Sequence, residues 1–211
     1  MRAISCLLAS WIAVLGFARA ATARDAPSLE ALIASFAAMP GLSARFHEEK
    51  QLSLLQVPLL SEGVLYFAPP DRLVRHVEKP APSTLLLRGD ELVLGTAAEQ
   101  HAIDLASQPA VRSFVDAFRL VLAGDLPRLR ALYDIQFHAT GASGWQIQLA
   151  PRDERLAGAL RAIELSGADQ VLREVRVVQR NGDTTTTRFS DVDRNRHFSA
   201  TELEALFRIA P

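Results

Sequence analysis

The chain has 211 residues, 49% of them hydrophobic, with 23 Lys+Arg against 24 Asp+Glu and a formal net charge of -1. So balanced a composition gives no electrostatic reason to bind nucleic acid, and no polybasic tail offers a stable membrane attachment. The single cysteine, Cys6, lies near the N-terminus, so the domain that follows has no disulfide or Cys-based metal site and must rest on its apolar core.

Behind the positive Arg2, Ile4 to Phe17 is an almost unbroken apolar stretch, followed by small-residue cleavage patterns at Ala18-Arg19-Ala20 and Ala21-Thr22-Ala23. This order predicts a secretory signal peptide over residues 1–23 and one domain over residues 24–211. The stretch is shorter than the about 20 residues of a comfortable membrane span.

Ser28, after Pro27, is placed to cap a first helix. In it Leu29, Leu32, Ile33, Phe36 and Met39 recur at helical spacing, and Pro40-Gly41 stops it. Short β segments follow at 44–52 and 64–68, with a turn expected at Ser61-Glu62-Gly63. A third, 72–78, lies between the breaks Pro69-Pro70-Asp71 and Lys79-Pro80-Ala81-Pro82. Gly89-Asp90 is a two-residue hairpin signal between 84–88 and 91–95, and 101–105 is a further strand. Val111, Phe114, Val115, Phe118 and Leu122 predict a second helix, ended by Gly124, and Asp125 can cap a brief turn through Leu129. Strands then return. Tyr133, Ile135 and Phe137 alternate with polar residues, as do Trp145, Ile147 and Leu149; 160–166 follows, and Asn181-Gly182 joins 172–180 to 183–189. About ten antiparallel strands and two helices in one domain must hide their sheet edges. The expected solution is a closed or nearly closed barrel whose helices cover an open end or face.

Motifs for chemistry fail one by one. His47, His76, His101, His138 and His197 are scattered, with no pair at helical ligand spacing. There is no P-loop or dinucleotide fingerprint, and Gly141-Ala142-Ser143-Gly144 reads as an inter-strand turn, not a nucleophile elbow. Glu48 and Glu49, adjacent on a strand, should face opposite ways. No catalytic residue, metal or cofactor is therefore expected. Residues 191–202 follow an EF-hand loop in their oxygen positions, with Glu202 at the twelfth place. Arg196, however, holds the sixth, where glycine permits the turn. Ser199-x-x-Glu202 reads better as a capping box opening a terminal helix over Leu203, Leu206 and Phe207.

Several strands do not alternate. Val64 to Phe67, Leu85 to Leu87 and Leu92 to Leu94 are apolar on both faces, so both faces must be covered or must line a cavity. Periodicity alone leaves open whether the interior is a cargo cavity or a filled core.

The order of short motifs resembles a known family. Ala44-Arg45-Phe46, then Glu62-Gly63-Val64-Leu65-Tyr66-Phe67-Ala68-Pro69-Pro70-Asp71-Arg72-Leu73, then Lys79-Pro80 and Leu86-Leu87-Arg88-Gly89-Asp90 look like the N-terminal half of LolA, the outer-membrane lipoprotein carrier family. Trp145 to Pro151, the strand containing Ile163 and the hairpin 175–189 are similar to its C-terminal half. The chain departs from that pattern in three places. Pro69 stands where an Arg thought to influence lid closure is usual, Arg75-His76 where an aromatic is usual, and Glu48 where a Gln is expected. These departures mark a divergent branch, whose members resemble proteins encoded beside aryl-polyene or lipid-export pathways.

The resemblance implies an incomplete antiparallel β-barrel, mainly β with a few helices, in which the helices form a lid over an apolar cavity. It implies a monomeric periplasmic carrier taking a lipoprotein, lipid or aryl-polyene-type acyl cargo from an inner-membrane exporter to an outer-membrane acceptor. The cavity residues expected on that basis are Leu65, Phe67, Leu73, Leu85, Leu87, Trp145 and Ile147, with Phe36, Phe114 and Phe118 as lid contacts. Two other readings stand beside it: an interaction or structural module with a solid interior, and a secreted hydrolase.

Overall fold

Alternating apolar and polar residues build one antiparallel sheet, seen in a computed structural model that describes residues 28–96, 98–107 and 109–209. The expected signal peptide lies outside the described residues. The strands are β1 (Leu42–Gln51), β2 (Leu59–Ala68), β3 (Arg72–Lys79), β4 (Ser83–Arg88), β5 (Glu91–Gly95), β6 (Gln100–Asp104), β7 (Tyr133–Thr140), β8 (Gly144–Pro151), β9 (Leu160–Ala168), β10 (Val171–Gln179) and β11 (Thr184–Asp193). Their order across the sheet is β6-β5-β4-β3-β2-β1-β11-β10-β9-β8-β7. Two meanders are thus joined where β1 pairs with β11, placing Phe46 opposite Phe189 and Glu48 opposite Thr187.

Among the described residues the sheet does not close: β6 and β7 are its two edges, which is the incomplete barrel that the resemblance implies. The sheet is nevertheless strongly curled. Leu85 of β4 and Ile163 of β9, six strands apart in the order, line one cavity. A flat sheet would hold them roughly 29 Å apart at about 4.8 Å per strand. The chain passes from one edge to the other through a 3-10 turn (Leu105–Ser107), helix α2 (Pro109–Ala123) and helix α3 (Leu126–Leu132). Asp125 caps α3 by accepting the Arg128 backbone N–H at 3.1 Å.

Helix α1 (Leu29–Ala37) forms where its stripe predicts, with Ser28 Oγ accepting the Ala31 N–H at 3.2 Å. Leu29, Leu32, Ile33, Phe36 and Met39 are all buried. It packs against α2, and Gly124 makes that approach possible. Its φ is +74°, and a Cβ there would lie 2.3 Å from the Ala37 Cβ. Arg194 locks α1 from outside, donating to Ser35 O at 2.9 Å and lying 5.6 Å over the Phe36 ring.

The expected turn at Ser61-Glu62-Gly63 is corrected: these residues belong to β2, and the β1–β2 connection lies before it. Gly63 serves close approach, not turning. It sits at a bulge against β3, where a Cβ would come within 1.9 Å of the His76 carbonyl oxygen. Beyond the two long helices, the brief turn after Asp125 and the terminal helix expected from the sequence, the described residues hold one more α-helix. The short α4 (Glu154–Ala159), capped by Asp153, carries no full apolar stripe to announce it. The last, α5 (Ala200–Leu206), opens on the predicted capping box, with Ser199 and Glu202 bonding each other's backbone N–H groups. Glu202 also pairs with Arg196, so both its oxygens serve the cap and that ion pair.

This C-terminal segment covers the second apolar face of β2. On the outer face of β2 and β3, Phe198 packs edge-on against Tyr66 at 6.2 Å and against Phe207 at 5.5 Å. His76 bridges Thr84 Oγ1 at 3.0 Å and the Leu206 carbonyl at 2.8 Å. The other face of the same strands turns inward.

Candidate functional site

The hollow of the sheet holds two unlike halves. Around β8 it is solid: Tyr133, Trp145, Ile147, Leu149 and Leu165 are buried, and Phe36 of α1 meets Trp145 edge-on at 6.2 Å. The void beside Phe36 and Met39 is only about 10 Å³, no more than one water occupies. Under β1–β4 the side chains do not meet, and a cavity of about 150 Å³ remains.

Leu65, Phe67, Leu73, Leu85 and Leu87 line this cavity, as alternation along β2, β3 and β4 requires. Val115 and Phe118 of α2 roof it, and Val175 and Val177 of β10 form the opposite wall. Of the residues singled out from the sequence, these five strand residues and Phe118 are brought together. Trp145 and Ile147 are not; both are buried in the solid half, where Phe36 of α1 packs on Trp145. Phe36 lies in that half as well, and the Phe114 side chain falls outside the described residues.

Sequence reasoning missed the polar members of the wall. Glu48 and Arg75, two departures from the family pattern, meet inside the cavity, with Arg75 Nη2 3.0 Å from Glu48 Oε1. Thr187 Oγ1 donates to the other Glu48 oxygen at 2.9 Å, and the Arg75 guanidinium lies 4.1 Å over the Phe46 ring. The signal was available: Glu48 shares the inward face of β1 with Ala44 and Phe46, while Glu49 faces Arg188 outside. Beyond Arg75 and Leu85 the hollow continues into a cleft of about 390 Å³ that also touches Val77, Ser83, Leu94 and His101.

The roof is tethered. Asp116 of α2, almost fully buried, receives Arg119 at 3.2 Å and Arg112 at 3.5 Å. Arg119 donates on to the Gly89 carbonyl at 3.1 Å and Arg112 to Asp90 at 3.2 Å, tying α2 to the β4–β5 hairpin. Burial, and then the Asp116 charge, push the nearby Tyr133 phenol far above its usual range. Arg119→Met removes the hairpin bond and half of the Asp116 neutralisation. It is expected to cost about 1–3 kcal/mol and to speed amide exchange across α2 more than across β8 and β9. Denaturant unfolding and hydrogen-exchange mass spectrometry measure the two.

At the rim, β1 leaves the cavity wall and enters an apolar loop. Leu54, Leu55, Val57, Leu59 and Leu60 are exposed, Leu54 by 95%, and residues 52–60 carry no charge. The loop is held in place, with the Ser53 N–H and Oγ donating to Asp183 Oδ1 at 2.7 and 2.9 Å. The Ser53 amide in turn holds the Asp183 carboxyl below its usual range.

A curled open sheet with helices laid in its hollow, one roofing an apolar cavity, defines a lidded half-barrel of the kind built around a greasy interior. The chain belongs to the outer membrane lipoprotein carrier protein LolA-like family, whose profile matches residues 18–209. No curated protein matches the sequence. Among solved structures, a DUF1329 family protein from Desulfovibrio piger superposes with TM-score 0.51 at 12% identity, over 84% of this chain and 95% of that one. A LolA superfamily protein from Nitrosomonas europaea gives TM-score 0.46 at 11% identity, over 83% and 97%. A putative outer membrane lipoprotein-sorting protein domain from Vibrio parahaemolyticus gives 0.45 at 12%, over 83% and 95%.

Proposed function

We propose that the protein is a periplasmic carrier that shields an acylated or lipid-type cargo during passage from the inner to the outer membrane. The observation that carries this reading is the cavity of about 150 Å³ walled by Leu65, Phe67, Leu73, Leu85 and Leu87 under Phe118. Membership of the LolA-like family supports it. Each buried methylene is worth about 0.8 kcal/mol, so an acyl chain crossing water needs such a shelter, and no covalent step is required to hold or release it.

The cavity is the size of voids that take a benzene ring, well below the roughly 300–1,000 Å³ of pockets for larger ligands. A full acyl chain therefore needs α2 to lift or the outer cleft to take part. The tether through Asp116, Arg119 and Gly89 sets how readily the lid moves, and the apolar loop at the rim is placed to meet a donor or acceptor surface.

Native mass spectrometry of the protein taken from periplasmic extract tests this. A mass increment of an acyl lipid or acylated peptide, removed by solvent extraction and restored by adding it back, is expected. Protein that carries nothing and binds no added acyl lipid would end the carrier reading in favour of an interaction module.

A further inference from the structure

Glu48 and Arg75 place an ion pair within a cavity whose neighbouring wall residues, Leu65, Phe67 and Leu85, are apolar. Two hydrophobic residues would occupy such a position at lower desolvation cost, so the pair calls for a purpose there. The guanidinium is fixed, stacked 4.1 Å over Phe46, with one terminal nitrogen reaching Glu48 at 3.0 Å and Ser61 at 3.2 Å. Its Nε is buried without an acceptor, while the side chain as a whole keeps 22% of its surface accessible, so a ligand would meet the guanidinium at its terminal nitrogens.

Arg75 also stands at a boundary. With Leu85 it is shared between the enclosed cavity under α2 and the outer cleft, where Ser83, Thr84, Glu99 and His101 bring polar groups. A molecule lying across both spaces has its hydrocarbon on the α2 side and its polar group at the guanidinium. We infer that Arg75 is the headgroup donor of this site, and that the favoured ligand is an acyl chain ending in an uncharged ester or amide carbonyl instead of a free carboxylate. This deepens the carrier reading and rests on it.

The choice between the two heads follows from Glu48. The pair is close to neutral as a unit, so a carbonyl oxygen gains a charge-assisted hydrogen bond without bringing a second negative charge. A carboxylate must shed its water and then face the Glu48 oxygens already on the guanidinium.

The test follows displacement of the fluorescent methyl ester of cis-parinaric acid from the purified protein at neutral pH, with dodecane, methyl laurate and laurate as competitors. Methyl laurate is expected to bind about tenfold more tightly than laurate, and Glu48→Gln to reverse that order. Arg75→Met is expected to weaken methyl laurate about tenfold, the worth of one hydrogen bond to a charged group, and to leave dodecane unchanged. The double variant Glu48→Gln/Arg75→Met leaves no unpaired charge and should keep the wild-type dodecane affinity, which controls for misfolding. Equal loss of dodecane and methyl laurate in both variants, or laurate binding as well as its ester in the wild type, would overturn the assignment. Failure of the probe and all three competitors to bind the wild type would instead bring down the carrier reading itself.

Discussion

Trp145→Ala is expected to lower the unfolding free energy by about 3–5 kcal/mol, a large share of the roughly 5–15 kcal/mol that holds a domain together. The indole is fully buried, stands edge-on to Phe36 and donates its Nε1–H to the Asp169 carbonyl at 3.0 Å. That bond fixes the β9–β10 turn, where Asp169 takes φ +54°. On the neighbouring strand Gly167 leaves the room the ring occupies, since a Cβ there would come within 2.5 Å of it. Removing the ring opens a void at the joint of α1, β8 and β9 and removes the indole's bond to the turn. Denaturant unfolding followed by far-UV circular dichroism checks the value. Ligand affinity should fall only in proportion to the unfolded fraction, because the ring lies outside the cavity.

Leu85→Trp should do the opposite, sparing the fold and destroying the site. Leu85 lines both the cavity and the outer cleft, between Arg75 on β3 and Leu94 on β5. A larger side chain there enters space that no other side chain fills. The stability change should stay within about 1–3 kcal/mol, the ordinary range for overpacking, while acyl-chain affinity drops well over tenfold. Titration of a fluorescent fatty ester together with thermal unfolding separates the two effects. Loss of stability beyond that range with no ligand bound by the wild type is what a solid interior would produce.

How far the sequence carried the reading differs between elements. The α1 stripe, the Trp145-Ile147-Leu149 alternation, the Gly89-Asp90 hairpin and the Ser199–Glu202 capping box were legible because each is a local pattern with its own physical cause. The order of motifs carried the family. Gly63 misled, since a glycine needed where two backbones crowd looks the same in sequence as one needed in a turn. The division of the hollow was not legible at all. Leu85 and Ile147 lie on equally apolar inward faces, yet Leu85 borders open space while Ile147 is buried in the packed core. Glu48 and Arg75 were seen as departures, but nothing in their separation along the chain says that β1 and β3, both paired to β2, turn them toward each other.

The connection between the sheet's two margins has a mechanical consequence. β6 and β7 are neighbours along the chain yet occupy opposite borders, and α2 with α3 is the covalent strap between them. The length of that strap bounds how far the two borders can separate while the roof stays seated. Capacity can then be retailored by lengthening or shortening that strap, with every rung of the ladder of strands left as it is.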